Sequence, residues 1–249
     1  LKITFITVPV MTPKLSSYWL YFVTATSYKL AVNLVDSMKV EVTARDNKLK
    51  DILGIETIPY SRAIELAFVK IEQNQVISSW KDSKIAGRFS ERDLNKYIQV
   101  PTYGCLHDHQ KKKVIDINIT TDKIWAIGGK TGYYYADFLW KIRGLIDKLF
   151  GGVGLRRGRT NPEKIYPGDA LDFWRVLLAD RSQPRLLLFA EMKIPGEAWL
   201  EFYIDDNGYL HQNATFRPLG LKGRLYWFSM LPFHYFIFKG MLNKIAKSE

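Results

Sequence analysis

The first third of the chain combines helical periodicity with short apolar runs. Apolar residues recur every three or four positions over 27–38 and over 60–73, so both segments are predicted to be amphipathic helices. Residues 39–45 alternate apolar and polar positions, and residues 1–12 are apolar and β-branched around Pro9; both patterns predict short strands. The pattern favours a small α/β segment.

The pattern of apolar and polar positions changes after a polar stretch at 72–92. Residues 103–119 predict a long strand, 121–128 a short helix with Thr120 or Thr121 at its N-cap, and 134–150 a longer helix that ends at Gly151-Gly152. Seven apolar residues share one face of that longer helix: Tyr135, Phe138, Leu139, Ile142, Leu145, Ile146 and Leu149. Five strands are then predicted, at 155–159, 169–179, 185–194, 198–205 and 209–218, before a final helix at 221–247.

This order of elements predicts an α+β fold of the helix-grip kind, in which a curved antiparallel sheet wraps around a long C-terminal helix. Sheet and helix cannot collapse fully onto each other in such a fold, so a cavity is expected between them. Two domains are expected: the small α/β segment over 1–84 and the helix-grip domain over 85–249.

The net charge of the chain indicates which kinds of partner to expect. The 36 basic and 25 acidic side chains give a net charge of +11, which favours anions such as nucleic acid, phospholipid headgroups or phosphorylated small molecules. A hydrophobic content of 47% excludes a wholly disordered, collagenous or disulfide-scaffold chain. The single Cys105 cannot form an internal disulfide, which favours a reducing, cytoplasmic location. The chain begins without Met or a signal-like segment, so a fragment or a processed chain is expected.

Four segments carry a family resemblance. They are residues 133–159 (YYYADFLWKIRGLIDKLFGGVGLRRGR), 168–176 (GDALDFWRV), 190–202 (AEMKIPGEAWLEF) and 226–241 (YWFSMLPFHYFIFKGM). Together they resemble a bacterial domain of unknown function in the START/polyketide-cyclase (SRPBCC) superfamily of helix-grip proteins. The resemblance implies a helix-grip fold and a ligand-binding cavity, without an established reaction.

Domains of that kind follow an NAD(P)-binding domain that is similar to atypical short-chain dehydrogenases and epimerases. Residues 8–19 (VPVMTPKLSSYW) resemble the substrate-side end of such a domain. A dinucleotide site needs a glycine-rich strand-to-helix turn, whereas Gly54 is the only glycine in residues 1–84. We therefore expect no cofactor in this chain and an upstream Rossmann-type domain, which would hold NAD(P), as a partner.

Two motifs suggest chemistry that their context disfavours. Gly152-x-Gly154 resembles a phosphate loop but follows a helix, whose end is negative. The nearby arginines are still candidates for binding an anion: Arg156, Arg157 and Arg159. Tyr235-x-x-x-Lys239 matches the catalytic pair of short-chain dehydrogenases but lies in the terminal helix without the accompanying serine, so a packing role is favoured.

The remaining motifs are weak. His107 and His109 would share a strand face, but two ligands do not make a metal site, so no metal is expected. Residues 225–238 form a run of 14 uncharged residues, too short for a membrane span and interrupted by Pro232, so a buried helix is favoured over one that lies on a membrane surface. Nucleic acid is disfavoured because the aromatic residues sit in apolar runs rather than on exposed platforms.

Polar residues among apolar strand positions indicate where a ligand could be oriented. Arg175 and Glu191 share strand faces with apolar residues, and a lone charge there needs a partner, a ligand or solvent; pairing with another residue is the default. With the surrounding aromatic residues, they give the candidate ligand-binding set: Arg143, Trp174, Arg175, Glu191, Trp199, Glu201, Tyr203, Trp227 and His234. No catalytic residue is assigned.

Two hypotheses follow. The first is a START-like module that binds an apolar or amphipathic small molecule in the cavity. The second is an enzyme, either cyclase-like and using the cavity itself or the substrate half of an NAD(P)-dependent oxidoreductase or epimerase. The binding module is favoured because no acid/base pair stands out in the sequence.

Overall fold

A computed structural model describes residues 13–24, 28–43, 52–72, 97–155, 158–159 and 164–247. The chain divides into two compact units, Leu1–Val76 and Ile77–Glu249. The predicted strand at 1–12 and most of the polar stretch at 72–92 lie outside the described residues.

The described part of the first unit includes the helices α1 (Pro13–Val23), α2 (Tyr28–Ser37) and α3 (Tyr60–Glu72). Helices α2 and α3 confirm the two predicted amphipathic helices. Helix α1 was not predicted, although a proline at the first helical position is a recognised start signal. Helices α1 and α2 pack together, with Ala31 fully buried between them and the rings of Tyr18 and Tyr28 stacked 4.8 Å apart.

The strand predicted at 39–45 is wrong over the residues described, 39–43. A hydrogen-bonded turn follows α2, in which the N–H groups of Lys39 and Val40 donate to the carbonyl oxygens of Asp36 and Ser37. Val40 and Val42, the apolar positions of the alternation, are exposed. Without an apolar surface to cover, the alternation does not produce a strand.

The second unit is built on a six-stranded antiparallel sheet in the order β1-β6-β5-β4-β3-β2. The strands in chain order are β1 (Leu106–Lys113), β2 (Ala170–Leu171), β3 (Trp174–Asp180), β4 (Arg185–Ala190), β5 (Gly196–Ile204) and β6 (Tyr209–Pro218). The helices are α4 (Ile117–Trp125), α5 (Asp137–Leu149) and α6 (Gly220–Ile245). This α+β arrangement with a long C-terminal helix was predicted and is consistent with a helix-grip-like fold. None of the described helices is both long and apolar enough to cross a bilayer.

Several predicted boundaries differ from the observed ones. The first strand ends at Lys113, and Asp116 rather than Thr120 or Thr121 caps the next helix by accepting a hydrogen bond from the N–H of Ile119. The strand predicted at 169–179 is split into β2 and β3 at Asp172, where φ is +53°. In place of the strand predicted at 155–159, the described residues show one isolated bridge, between Arg159 and Leu171.

Helix α5 buries a different face from its apolar stripe. Its buried residues are Trp140, Gly144, Asp147 and Lys148. Most of the stripe predicted from periodicity is exposed, including Phe138 and Leu145. Gly144 explains the orientation, because a Cβ there would lie 2.7 Å from the Leu155 side chain and hold the helix away from the loop that follows it.

The sheet has one face toward the helices, which we call the inner face, and one toward residues 97–100, the outer face. The main core lies between the inner face and the helices and includes Trp174, Leu188, Phe202 and Met241. A smaller core covers the outer face, where Leu177, Leu187, Phe189 and Trp199 pack against Tyr97, Ile98 and Val100. Helix α6 packs on the sheet with one side only. Leu225 and Phe228 on its other side are exposed, so the sheet does not enclose the helix.

Candidate functional site

A cavity of about 260 Å³ lies between the inner face of the sheet and helices α5 and α6. Its walls are overwhelmingly apolar. Helix α5 contributes Leu139, Trp140, Ile142, Arg143 and Ile146; helix α6 contributes Tyr226, Trp227, Met230, Phe233, His234, Ile237 and Phe238; the sheet and its loops contribute Trp174, Met192, Ile194, Ala198, Trp199, Leu200, Ala214, Thr215 and Phe216. Small-molecule sites usually measure roughly 300–1,000 Å³, so this volume suits a compact ligand.

The aromatic walls are held in place by their own partners. Trp140 stacks on Tyr133 with ring centroids 4.3 Å apart, and Trp227 stacks on Phe216 at 5.7 Å. The imidazole of His234 stacks on Phe238 at 4.9 Å and meets the edge of Trp227 at 5.2 Å. Because each ring is anchored by a neighbour, the walls are kept from collapsing into the space between the helices.

A few polar groups border this apolar space. Arg143 donates from Nη2 to the Tyr226 hydroxyl oxygen over 3.3 Å, which links α5 to α6. Trp140 Nε1 and His234 Nδ1 are buried atoms without a hydrogen-bond partner among the described residues. A buried donor or acceptor without a partner costs free energy, so these atoms are places where a ligand or a water molecule would bind favourably.

Burial makes His234 a neutral imidazole at ordinary pH. Loss of solvation lowers its pKa from 6.5 to about 4; nearby Asp108 raises the pKa and Arg143 lowers it, both by smaller amounts. The protonated form is disfavoured because the cavity wall offers little solvation for a charge.

Four of the nine predicted ligand-binding residues line the cavity with their side chains on the inner side: Arg143, Trp174, Trp227 and His234. Trp199 borders the cavity, but its ring belongs to the outer core and its Nε1 donates to the Tyr97 carbonyl oxygen over 3.0 Å. The strand register places Arg175, Glu201 and Tyr203 on the outer face, away from the cavity. Glu191, the residue after β4, pairs with Arg175 on that face. Trp140 and Tyr226, which the sequence analysis did not select, complete the polar contacts of the site.

Arg175 and Glu191 form a buried ion pair rather than a ligand contact. The Nε and Nη2 atoms of Arg175 donate to the two carboxylate oxygens of Glu191, each over 3.1 Å, and Nη1 donates to the Gly168 carbonyl oxygen over 2.8 Å. Both side chains are about 95% buried. Each residue was expected to have a structural partner by default, and the two are partners of each other.

Glu201 and Tyr203 also have partners on the outer face. The Glu201 carboxylate accepts from Arg185 Nε over 2.8 Å, and the Tyr203 ring stacks on His211 at 4.5 Å. These contacts tie β4 to β5 and β5 to β6.

Two histidines that are far apart in sequence meet on this outer face. His109 Nε2 lies 2.9 Å from His211 Nδ1, and His211 Nε2 lies 3.0 Å from the carboxylate of Asp205. The sequence analysis missed this contact because it depends on β1 pairing with β6. His107 lies on the same face, with Nδ1 3.2 Å from the Thr215 hydroxyl. The described residues contain no group of three or more His, Cys, Asp or Glu side chains placed to hold a metal ion.

The glycine loop after α5 is closed by a carboxylate from the helix itself. Asp147, almost fully buried, accepts from the N–H of Gly154 over 2.9 Å and from the N–H of Lys193 over 2.7 Å. A Cβ at Gly152 would collide with this carboxylate. The N–H groups of this loop thus bind the carboxylate of Asp147. This agrees with the prediction that the glycines end a helix and do not form a phosphate loop.

The three arginines predicted to bind an anion do not form a described cluster. Arg156 and Arg157 lie outside the described residues. Arg159 donates from Nη1 to the carbonyl oxygens of Trp125 and Ile127, over 2.6 and 3.1 Å. The structure thus places Arg159 as a link to the end of α4.

Replacing Asp147 with Asn tests this closure. The substituted amide nitrogen would face a backbone N–H, so one buried donor loses its acceptor, and we expect the free energy of unfolding to fall by about 1–3 kcal/mol. Urea unfolding followed by circular dichroism measures the change. Asp122→Asn, at an exposed carboxylate paired with exposed Arg181, is the control and should change stability by less than about 1 kcal/mol. Equal effects of the two substitutions would contradict the role given to Asp147.

Tyr235 and Lys239 contact each other on the surface of α6. The Lys239 ammonium donates to the Tyr235 hydroxyl oxygen over 2.8 Å, and both residues are exposed. Neither is among the residues that line the cavity. Their contact is the ordinary one for residues four apart on a helix.

Comparison with known proteins gives one match. Neither the curated proteins nor the solved structures include a significant match to the chain. A family model described as a protein of unknown function (DUF2867) matches residues 106–241, which run from β1 into α6 and include every residue that lines the cavity. The match covers more than half of the 249 residues, and the chain therefore belongs to the DUF2867 family.

Proposed function

We propose that this chain binds an apolar or amphipathic small molecule in the cavity between the sheet and helices α5 and α6. The observation that carries the proposal is the cavity itself: about 260 Å³, walled by anchored aromatic and aliphatic side chains, with buried nitrogen atoms such as Trp140 Nε1 and His234 Nδ1 left without partners among the described residues. Such a site combines apolar walls with a few polar groups that orient the ligand.

The proposal includes a START-like (SRPBCC) classification, supported by the resemblance of residues 133–159, 168–176, 190–202 and 226–241 and by a sheet-and-helix architecture consistent with it. It also includes an upstream Rossmann-type partner domain of the epimerase or dehydrogenase kind, supported by the resemblance of residues 8–19. That domain, rather than this chain, would hold NAD(P), and the cavity would receive or deliver the small molecule.

A substitution that fills the cavity tests whether the cavity binds a ligand. Ala198 lies on β5 beside the cavity, so we expect Ala198→Phe to occupy part of the space and reduce the binding of 1-decanol at least tenfold. Isothermal titration of the solvent-extracted and refolded chain measures the affinity, and mass spectrometry of the extract shows whether an apolar molecule was already bound.

The matched control places the same new side chain on the same strand but on its other face. Glu197 faces outward and pairs with Arg217, so Glu197→Phe should leave decanol binding unchanged. If decanol does not bind to the wild-type chain, or binds equally to Ala198→Phe, the proposed function is wrong.

A further inference from the structure

The polar groups of the cavity wall are mainly hydrogen-bond donors. The Arg143 guanidinium carries only N–H donors, and Trp140 contributes an indole N–H. The Tyr226 oxygen already accepts from Arg143, which leaves its O–H hydrogen free to donate. No carboxylate is among the described residues that line the cavity. A complementary ligand therefore supplies acceptor oxygens.

Arg143 differs from other arginines of this unit in its partner. Arg175, Arg181, Arg185 and Arg217 each form an ion pair with a carboxylate. The described residues place no carboxylate within ion-pair distance of Arg143, which donates to the neutral Tyr226 hydroxyl. A half-buried guanidinium beside an apolar cavity is thus left with an uncompensated charge.

The position of this charge suggests how a ligand would lie. Arg143 is only partly buried, on a helix whose neighbouring cavity residues Ile142 and Ile146 are substantially exposed, so the cation marks the mouth of the cavity. The deeper walls are formed by fully buried residues such as Leu200 and Trp227. An anionic head at Arg143 would leave an apolar body to fill the interior.

We propose that the ligand is a compact apolar molecule with a single carboxylate, and that Arg143 binds this carboxylate with the help of the Tyr226 hydroxyl. The inference rests on the proposed function and names its ligand class. One guanidinium matches the charge and the two oxygens of one carboxylate. A phosphate monoester carries more charge, and Arg143 is the only permanent cation among the residues described as lining the cavity.

The test compares decanoate with 1-decanol, which share an apolar chain and differ in the head group. A hydrogen-bonded charge pair is expected to make decanoate bind about 10–100-fold more tightly than decanol to the wild-type chain. Arg143→Gln should reduce this ratio to about 1, and because the ratio is taken within one variant, a change in decanol affinity does not affect the comparison. Lys141→Gln, which removes the same charge from an exposed position on the same helix, should keep the wild-type ratio.

The outcomes separate this inference from the proposed function. Equal binding of decanoate and decanol to the wild type, or a decanoate preference that survives in Arg143→Gln, would overturn the carboxylate inference while the cavity remains a binding site. If neither compound binds, the proposed function fails first. Should Arg143→Gln not fold, Arg143→Lys serves instead: it keeps the charge without the planar fork, so a ratio between those of the wild type and 1 is expected and an unchanged ratio contradicts the inference.

Discussion

Arg175→Met is expected to lower the free energy of unfolding by about 3–5 kcal/mol, because it leaves the buried Glu191 carboxylate without the guanidinium that solvates it. Glu191→Leu should cost a similar amount by leaving the Arg175 guanidinium unpaired. Both side chains are about 95% buried, so water cannot replace the missing partner. Urea unfolding of the full chain, followed by near-ultraviolet circular dichroism, measures the loss.

The double variant Arg175→Met with Glu191→Leu separates pairing from packing. Removing both charges together leaves neither of them uncompensated, so the double variant should be more stable than either single variant. Ligand binding should be unchanged in all three variants that fold, since the pair lies on the outer face of the sheet and the cavity on the inner face.

A second Arg–Glu pair provides the matched control. Arg185 and Glu201 join β4 to β5 as Arg175 and Glu191 join β3 to the end of β4, but the Arg185 side chain is 47% exposed. Arg185→Met should therefore cost no more than about 1 kcal/mol. Comparable losses at Arg175 and Arg185 would show that the burial of the first pair has no energetic consequence.

The strands and the final helix were predictable where local signals agree. Strand β6 has the predicted bounds, Tyr209–Pro218, and the Asp206-Asn207-Gly208 turn before it is reinforced by Asp205, whose carboxylate accepts from the N–H of Tyr209. Turn chemistry and strand pattern act within a few residues of each other, so they can be recognised in sequence.

Long-range packing was not predictable in the same way. The apolar stripe of α5 gave the wrong buried face, because Gly144 and Asp147 make close contacts with the following loop that hydrophobicity does not encode. The contact between His109 and His211 requires β1 to pair with β6, which are about 100 residues apart. Such contacts depend on the assembled sheet rather than on neighbours in the chain.

The candidate site was also predictable only in part from the sequence. Trp174 and Arg175 are adjacent on β3, so alternation places them on opposite faces, and both could not line one cavity. Alternation does not say which face meets the helices. In the structure Trp174 lies on the inner face and lines the cavity, whereas Arg175 lies on the outer face and pairs with Glu191.

Acidification is expected to destabilise the chain through His234. Its pKa is about 4 in the folded chain and 6.5 in an unfolded one, so between these values the unfolded chain binds a proton that the folded chain does not. Stability therefore rises with pH across this window and falls as the pH drops from 7 to 4, by about 3 kcal/mol for this one group.

His234→Phe isolates that contribution. The ring remains, stacked between Trp227 and Phe238, but it cannot bind a proton. The difference in unfolding free energy between wild type and variant, measured in urea at pH 7 and at pH 4, should change by about 3 kcal/mol in favour of the variant. Other titrating groups contribute to both proteins and largely cancel. A pH-independent difference would contradict the neutral, buried state of His234.

The same imidazole reports what occupies the cavity. Arg143 on α5 lowers the pKa of His234 and Asp108 on β1 raises it, so a charge added between the helices should shift the balance. Decanoate bound at Arg143 would add a negative charge and raise the pKa relative to the decanol complex, because a nearby anion favours the protonated imidazole. Histidine proton shifts in nuclear magnetic resonance spectra measure both complexes. The same pKa with decanoate and decanol would mean that the carboxylate does not sit beside Arg143.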